Sequence, residues 1–314
     1  MNILLTGGCG YVGTLLTQSL LERGHTVTVV DIQWFGNFLK PHPRLSVIRE
    51  DIRNTEKIPM AGVEVLLHLA NIANDPCGDL NSKLSWEVNV LASMQLVERA
   101  IAHRVRQFIL ASSGSVYGVK EESEVTEELS LVPISDYNKT KMISERVLLS
   151  YADQILVNII RPATLCGYSP RMRLDLAVNM LTMQALTRGR ITVFGGDQMR
   201  PNMHIQDMLR VYHHFLANGE RLQGIYNAGF EDLSILETAQ LIAKFVPAEI
   251  VVTPSNDPRS YRLSSKKLLA TGFAPKFTVR DGIKEVITAY QGGRLKDDEV
   301  YYNIRTMKKL AGLV

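Results

Sequence analysis

The sequence contains little cysteine, little net charge and no long apolar segment. The cysteines are odd in number and far apart, which argues against a disulfide framework and a zinc site; they are Cys9, Cys77 and Cys166. The net charge of +3 is too small to indicate a nucleic-acid-binding surface, although it suits an anionic substrate. No apolar run approaches the length of a membrane span. Because Met1 leads directly into the first predicted strand, we expect no signal peptide and a cytoplasmic protein.

The rest of the composition is that of a globular chain. Of the 314 residues, 46% are hydrophobic and 21% are charged, which provides for a large core and for two lobes. No internal repeat, low-complexity tract or long linker interrupts the chain. Up to about residue 165, short apolar runs alternate with helical patterns, and beyond it the alternation becomes irregular. This alternation predicts an α/β protein with a parallel sheet.

The clearest pattern lies at the N-terminus. Asn2–Thr6 is predicted as a buried strand, residues 7–13 as a glycine-rich turn, Thr14–Arg23 as a helix and Thr26–Val30 as a second strand that ends on Asp31. This order is typical of the βαβ unit that binds a dinucleotide, whose pyrophosphate lies at the helix N-terminus. An acid at the tip of the second strand accepts hydrogen bonds from both adenosine ribose hydroxyls and repels a 2′-phosphate. The pattern therefore favours NAD over NADP.

A Tyr-x-x-x-Lys motif occurs at the start of a later predicted helix. Tyr137 and Lys141 are four residues apart, so both side chains emerge from one helix face. Tyrosine, with a pKa of about 10, is a poor base. An ammonium group one turn away stabilises the phenolate and brings this pKa toward working pH. A surface tyrosine and lysine without chemistry are the alternative interpretation, and the motif's place after a strand that ends on Ser112-Ser113 argues against it.

The glycines of the first turn have the spacing G-x-x-G-x-x-G, at Gly7, Gly10 and Gly13. Together with the Tyr-x-x-x-Lys motif, this spacing resembles the extended short-chain dehydrogenase/reductase family, which includes NAD-dependent nucleotide-sugar epimerases and dehydratases. The resemblance implies a Rossmann-type, doubly wound parallel sheet over residues 1–165. It also implies a smaller C-terminal α/β lobe for the nucleotide sugar over residues 166–314. The two parts interleave, so this boundary is approximate.

The resemblance also implies a set of NAD-binding residues at the glycine turn, the strand ends and the Tyr-x-x-x-Lys helix. They are Gly7, Gly10, Tyr11, Val12, Gly13, Asp31, Asp51, Ile52, Leu69, Ala70, Asn89, Ala111, Tyr137, Lys141 and Pro162. In the family, the acid and apolar pair at Asp51 and Ile52 contacts the adenine, and the asparagine at Asn89 stabilises the central sheet. For Asp51, capping of the next helix is an equally open alternative.

Three residues match the family's catalytic positions. Ser113, four residues before Tyr117, stands where the family has a catalytic Ser or Thr, with Ser112 and Ser115 as nearby alternatives. In the family this hydroxyl bonds the reacting sugar hydroxyl and relays its proton to the tyrosine. The triad of Ser113, Tyr137 and Lys141 therefore implies hydride transfer at a carbinol carbon.

The residues after Ser113 narrow the choice among the reactions of the family. Family 4,6-dehydratases carry an acid there, often an Asp-Glu pair, whereas this chain has Gly114 and Ser115. The pattern is closer to 4-epimerases of the UDP-glucose 4-epimerase type. In those enzymes NAD takes the C4 hydride and the 4-keto sugar turns over before it is reduced. The alternatives are a C4 dehydrogenase or keto-reductase, less favourably a 4,6-dehydratase, and, in another class, a non-catalytic NAD-binding regulator.

Substrate-binding residues are implied by resemblance in the second lobe. Arg200 lies in a segment similar to the family's G-D-x-x-R…D motif, and Arg259 stands where a second phosphate-binding arginine occurs. A guanidinium fork suits phosphate oxygens. Asn179 matches an asparagine that often contacts the diphosphate, with an exposed structural residue as an equally open alternative, and Ser113 is expected to contact the sugar. These residues imply a nucleotide-diphosphate sugar, whose hexose would be bordered by residues 163–173.

Two further expectations concern loops and assembly. Asn71–Asp79 is predicted as a polar loop at the sheet edge where ligands bind. Family members are commonly homodimers joined through two helices, which here correspond to about Leu80–His103 and Tyr137–Tyr151.

Overall fold

A parallel seven-stranded sheet forms the centre of the protein. The structure is a computed structural model, and it describes residues 1–255 and 260–312. From edge to edge of the sheet lie β10 (Gly224–Ala228), β6 (Leu156–Pro162), β5 (Gln107–Ala111), β4 (Val65–His68), β1 (Asn2–Thr6), β2 (Thr26–Asp31) and β3 (Leu45–Arg49). All neighbouring strands in it run parallel. The order reverses beside β1, which opens a crevice at the carboxyl ends of the strands.

Helices cover both faces of this sheet. The helices of the chain are α1 (Tyr11–Glu22), α2 (Asp75–Leu80), α3 (Ser82–Trp86), α4 (Ala92–Ala102), α5 (Asp136–Leu149), α6 (Ala177–Arg188), α7 (Ile205–Asn218), α8 (Ile235–Ala243), α9 (Lys266–Leu269), α10 (Val279–Gln291) and α11 (Asn303–Leu310). On one face, α1 and α7 share an apolar core with the strands. On the other, α4 and α5 do so. No helix of the described ranges is both long and apolar enough to cross a bilayer.

A smaller lobe contains the remaining strands. In the described chain these form a three-stranded sheet and a two-stranded one: β7 (Thr164–Cys166), β9 (Met199–His204) and β11 (Glu231–Ser234), then β8 (Arg190–Phe194) and β12 (Glu249–Thr253). Helices α6, α8 and α10 pack together with the two-stranded sheet. The lobes interleave, because β10 belongs to the large sheet and α7 packs against it, although both come after residue 166. The predicted Rossmann-type fold is confirmed.

The region from Asn71 to Leu91 differs from the sequence-based expectation. Part of the predicted loop Asn71–Asp79 is the helix α2, because the Asn74 side chain accepts the Cys77 N–H and Pro76 occupies the first turn. The predicted long helix Leu80–His103 is divided into α3, a π-helical turn and α4. The smaller lobe also contains β7, β9 and β11, which the apolar pattern did not predict.

Candidate active site

The carboxyl ends of the central strands open into a cleft between the two lobes. Its cavity volume is about 580 Å³, within the range of about 300–1,000 Å³ that is typical of ligand sites. The glycine turn and Asp31 line one end of the cleft, and Tyr137 and Arg200 line it farther along. The topological switch beside β1 places the cleft where ligands bind in open α/β sheets.

The glycine turn has the shape that a dinucleotide requires. Gly7 has a φ of +74°, and a Cβ there would lie 2.6 Å from the Ala70 nitrogen. A Cβ on Gly13 would lie 2.2 Å from the Gly7 carbonyl oxygen. Gly10, the N-cap of α1, offers no side-chain cap to the first N–H groups of the helix. These N–H groups and the positive end of the helix therefore fit a phosphate group.

Asp31 both shapes this turn and lines the cleft. Its carboxylate accepts the Cys9 N–H at 2.9 Å and the Gln33 N–H at 2.7 Å. Burial raises the pKa of Asp31, and the two backbone hydrogen bonds oppose this shift. Asp51 and Ile52 also line the cleft. Asp51 accepts the Arg53 N–H and pairs with the Arg53 guanidinium. The N-cap of the next helical turn is Asn54, so the alternative that Asp51 caps this turn is wrong.

Ser113 and Tyr137 meet in the cleft. Ser113 is the N-cap of a 3₁₀ turn, and its hydroxyl lies 2.7 Å from that of Ser115. Ser115 in turn donates to Asn138 Oδ1 at 2.5 Å. Tyr137, in the first turn of α5, is half-buried and lies close to Ser113. Burial raises the pKa of Tyr137, whereas the neighbouring Ser113 hydroxyl and the Arg173 guanidinium oppose this rise.

Lys141 lies behind this pair. It is 3% exposed, and its Nζ donates to the Ala111 carbonyl at 2.7 Å. Burial lowers the pKa of Lys141 to about 7, although the Glu145 carboxylate opposes this shift. We expected Lys141 to lower the pKa of Tyr137, but in this structure burial raises the Tyr137 pKa and its opposing partners are Ser113 and Arg173. The spacing places both residues on one helix face, but the ammonium group points to a backbone carbonyl.

The burial of Lys141 predicts a pH effect on stability. Its folded pKa of about 7 lies below the ordinary 10.5, so the unfolded chain binds more protons between these values. Stability should therefore rise with pH through this window, and Lys141→Met should remove the rise and gain roughly 2–5 kcal/mol at pH 7. Urea unfolding of cofactor-free protein from pH 6.5 to 9 measures both effects. Lys139→Met, on the exposed side of α5, is the control. Identical pH curves for wild type and Lys141→Met would contradict the prediction.

An arginine pair borders the cleft from the second lobe. Arg173 binds Asp175 through Nε at 2.9 Å and Nη2 at 3.1 Å, and Asn74 donates to Asp175 at 2.9 Å. The charge of Arg173 acts on Tyr137, so it lies at the end of the cleft that Tyr137 lines. Arg171, two residues earlier, lines the cleft beside Phe35 instead. The sequence predicts that both arginines border the sugar, whereas the structure places their side chains in different surroundings.

Two of the predicted ligand residues lie behind the cleft wall. Asn89 accepts the Ile72 N–H at 2.8 Å and donates to Thr140 Oγ1 at 2.9 Å, tying the loop after β4 to α5. Asn179 accepts the Gly167 N–H at 3.1 Å and donates to the Tyr11 hydroxyl at 3.1 Å. Both side chains are buried and neither lines the cleft. The contacts of both side chains therefore hold neighbouring segments in position, and neither side chain forms part of the cleft surface.

Two arginines, Arg200 and Arg259, are predicted to bind the diphosphate. Arg200 lines the cleft, and its Nη1 donates to the Met199 carbonyl at 3.2 Å. Arg259 lies outside the described residues. The remaining predicted cofactor residues that line the cleft are Gly7, Gly10, Tyr11, Val12, Gly13, Leu69, Ala70, Ala111 and Pro162.

Helix α2 is a part of the site that the sequence interpretation missed. A Cβ on Gly78 would lie 2.8 Å from the Tyr137 Cβ, so only glycine permits this approach of the two helices. Ser135, the N-cap of α5, donates to Asp75 at 2.6 Å, and the Asp136 N–H donates to Asp79 at 3.2 Å. The segment Asn74-Asp75-Pro76 carries a helix-start signal that could have revealed α2. Its contact with α5 has no local signal.

Comparison with known proteins places the chain in a family. Residues 3–229 match the family model described as "NAD dependent epimerase/dehydratase family". The chain belongs to this family, and the resemblance stated from the motifs is confirmed. It is an NAD-dependent enzyme, and NAD is the cofactor that the glycine turn fits.

Individual relatives include both reaction types. A UDP-glucose 4-epimerase of Corynebacterium glutamicum is 26% identical over 306 residues, covering 88% of this chain and 92% of that protein. A dTDP-glucose 4,6-dehydratase of Streptomyces niveus is 24% identical over 316 residues, covering 94% of each. The solved UDP-glucuronic acid 4-epimerase of Bacillus cereus, in complex with UDP-glucuronic acid and NAD, is 27% identical with a TM-score of 0.81, covering 93% of this chain and 99% of that one.

Proposed function

We propose that the protein is a nucleotide-sugar 4-epimerase that acts by transient oxidation at C4 of an NDP-hexose. The observation that carries this proposal is that Ser113 and Tyr137 lie close together in the cleft, with Ser113 at the start of a turn that continues with Gly114 and Ser115. The pair provides a proton acceptor for a carbinol hydroxyl. The turn provides no carboxylate for the proton transfers at C5 and C6 that elimination of water requires.

The roles of the residues follow from their contacts. Tyr137 takes the proton of the C4 hydroxyl and later returns it, and Ser113 bonds the same hydroxyl and orients it. Lys141 holds the carboxyl end of β5 in place behind the tyrosine through the Ala111 carbonyl. When bound, NAD supplies the hydride acceptor and donor.

The carboxylates near Tyr137 have structural partners. Asp75 accepts the hydroxyl of Ser135, the N-cap of the catalytic helix. Asp175 forms the two-bond pair with Arg173. Both acids therefore have roles in holding the site together, which favours epimerisation over dehydration.

The substrate proposal rests on the cations of the second lobe. Arg200 suits a diphosphate, and Arg173 faces the hexose end near Tyr137. Because the Corynebacterium relative is named for UDP-glucose, UDP-hexoses are the first ligands to test.

We also propose a cytoplasmic homodimer joined through α4 and α5. Half-exposed Leu91, just before α4, supports such a contact.

The test is incubation of the purified protein with UDP-, GDP-, dTDP- and CDP-hexoses in deuterated water. Proton NMR follows the sugars, and absorbance follows reduced nicotinamide. We expect a C4 epimer that contains no deuterium, with no net reduced cofactor, because hydrogen returns to the carbon that it left.

Other products would overturn the proposal in specific ways. Deuterium at C5 or C6 with loss of water would identify a dehydratase. Stoichiometric reduced cofactor with a 4-keto sugar would identify a C4 dehydrogenase. The absence of turnover on every sugar, with NAD bound, would favour the non-catalytic regulator.

A further inference from the structure

A buried arginine of the second lobe lines the cleft without an ion-pair partner. Arg171 is 2% exposed. Its Nη1 donates to the Met172 carbonyl at 2.9 Å and its Nη2 donates to Asn303 Oδ1 at 2.6 Å. The guanidinium carbon lies 4.2 Å from the ring centre of Phe35. These contacts fix the guanidinium in place, but none of them supplies a negative charge.

Arg161, another fully buried arginine of the described residues, has the carboxylate partner that Arg171 lacks. Arg161 forms two hydrogen bonds with the Glu145 carboxylate, at 2.9 and 2.6 Å. In the described parts of the chain, no carboxylate lies within 4.0 Å of Arg171, and its buried Nε has no hydrogen-bond partner. Burial lowers the pKa of Arg171 to about 10, whereas the Glu145 bonds outweigh burial and raise that of Arg161. An unpaired buried cation is costly, so an anionic ligand is expected to compensate Arg171.

The surroundings of Arg171 indicate which anion this is. The neighbouring Met172 packs in one apolar cluster with Tyr11, the first residue of α1. The Tyr11 hydroxyl donates to the Gly167 carbonyl at 2.7 Å, which docks the segment 167–172 on the glycine turn. Arg171 is also close enough to Asp31 for the two charges to affect each other. It therefore lies in the cofactor half of the cleft, near the turn that receives the pyrophosphate.

We propose that Arg171 binds the pyrophosphate of NAD from the second lobe, on the side of the cleft opposite the glycine turn. A guanidinium fork matches phosphate oxygens and is stronger than a neutral donor. The glycine turn supplies N–H groups to the pyrophosphate, and Arg171 supplies the counter-charge. The assignment holds whichever sugar reaction the enzyme performs, because it concerns the cofactor alone.

The C-terminal helix completes this arrangement. Asn303, which holds Arg171, is the first residue of α11 and lines the cleft with Ile304. Met307 of the same helix packs in a cluster with Trp34 and Phe35. Because α11 bonds Arg171 and packs near the loop after Asp31, it holds the guanidinium in position at the cofactor half of the cleft.

The test measures affinities of cofactor-free protein for NAD, ADP-ribose, ADP and adenosine by calorimetry. Arg171→Met should weaken the three pyrophosphate ligands roughly 10- to 100-fold, as expected for a charged hydrogen-bonding group. Its affinity for adenosine should be unchanged. The unfolding midpoint without ligand should not fall, since an apolar side chain of similar length replaces an unpaired charge. Asn303→Ala should give a smaller loss of the same kind.

Arg99→Met is the matched control. Arg99 lies on α4 outside the cleft, donates to the Ile58 carbonyl and also has a buried Nε without a partner, so its replacement should leave NAD affinity unchanged. If Arg171→Met does not fold, Arg171→Lys carries the test and should retain part of the pyrophosphate affinity. Equal losses for adenosine and NAD, or an unchanged affinity for NAD, would each overturn the proposal.

Discussion

Replacing Tyr137 with phenylalanine should lower the turnover number by about 10²–10⁴-fold, the range for a lost general acid–base group. The substitution keeps the Cβ that lies against Gly78 and the whole ring, and removes only the hydroxyl, which lies close to Ser113. Affinity for NAD and for the nucleotide sugar should therefore stay within a few-fold of wild type. Steady-state kinetics together with calorimetric titration of NAD separates the two effects.

Tyr151→Phe is the control for this prediction. Tyr151 lies just beyond the end of α5 and bonds Glu98 at 2.8 Å, far from the cleft residues, so its loss should not change turnover. A Tyr137→Phe enzyme that turns over normally would assign proton transfer to another group. If the variant also preserved the biological activity, the protein would be better described as an NAD-binding regulator.

Glu145→Leu should cost about 3–5 kcal/mol of unfolding free energy, the penalty for leaving a buried charge without its partner. Glu145 is fully buried on α5 and accepts hydrogen bonds from Ser112 and from two nitrogens of Arg161. Arg161 also donates to Tyr117 at 2.7 Å, at the end of the turn that carries Ser113. The network thus supports the catalytic turn from behind. Urea or thermal unfolding measures the loss.

The double variant Glu145→Leu with Arg161→Met tests the cause. If the unpaired charge produces the loss, removing Arg161 as well should recover most of the stability, because a buried ion pair is often replaceable by apolar residues. If the double variant instead lost as much stability as the two single variants together, the loss would be assigned to packing. Glu98→Leu, an exposed substitution on α4, should change stability by less than about 0.5 kcal/mol.

Lys141 and Tyr137 show how burial changes the pKa values within a motif. From the spacing alone, Lys141 is expected to lower the pKa of Tyr137, because an ammonium group stabilises a phenolate. In the folded chain the ammonium group bonds the Ala111 carbonyl, and its own pKa falls to about 7 through burial. Desolvation acts on both members of the motif, and the sequence contains no measure of it.

Local patterns predicted the Rossmann-type fold, although not β7, β9 and β11 of the smaller lobe, and they indicated the centre of the candidate site. The run from Asn2 to Asp31 predicts a strand, glycine turn, helix and strand, because glycine conformations and apolar periodicity are properties of neighbouring residues. The spacing of Tyr137 and Lys141 predicts their common helix face for the same reason. Family membership and the cofactor followed from these motifs.

Only the tertiary structure could decide which side chains reach the cleft. Asn179 matches a family ligand yet lies behind the cleft wall, whereas Asn303 matches no motif and lines it. Gly78 looks like any loop glycine, but its lack of a Cβ admits Tyr137. Arg171 is paired with Asn303 from 132 residues away. The sequence by itself determined the elements and their chemistry, since these depend on adjacent residues; the contacts across the cleft depend on packing between distant segments, for which no local pattern exists.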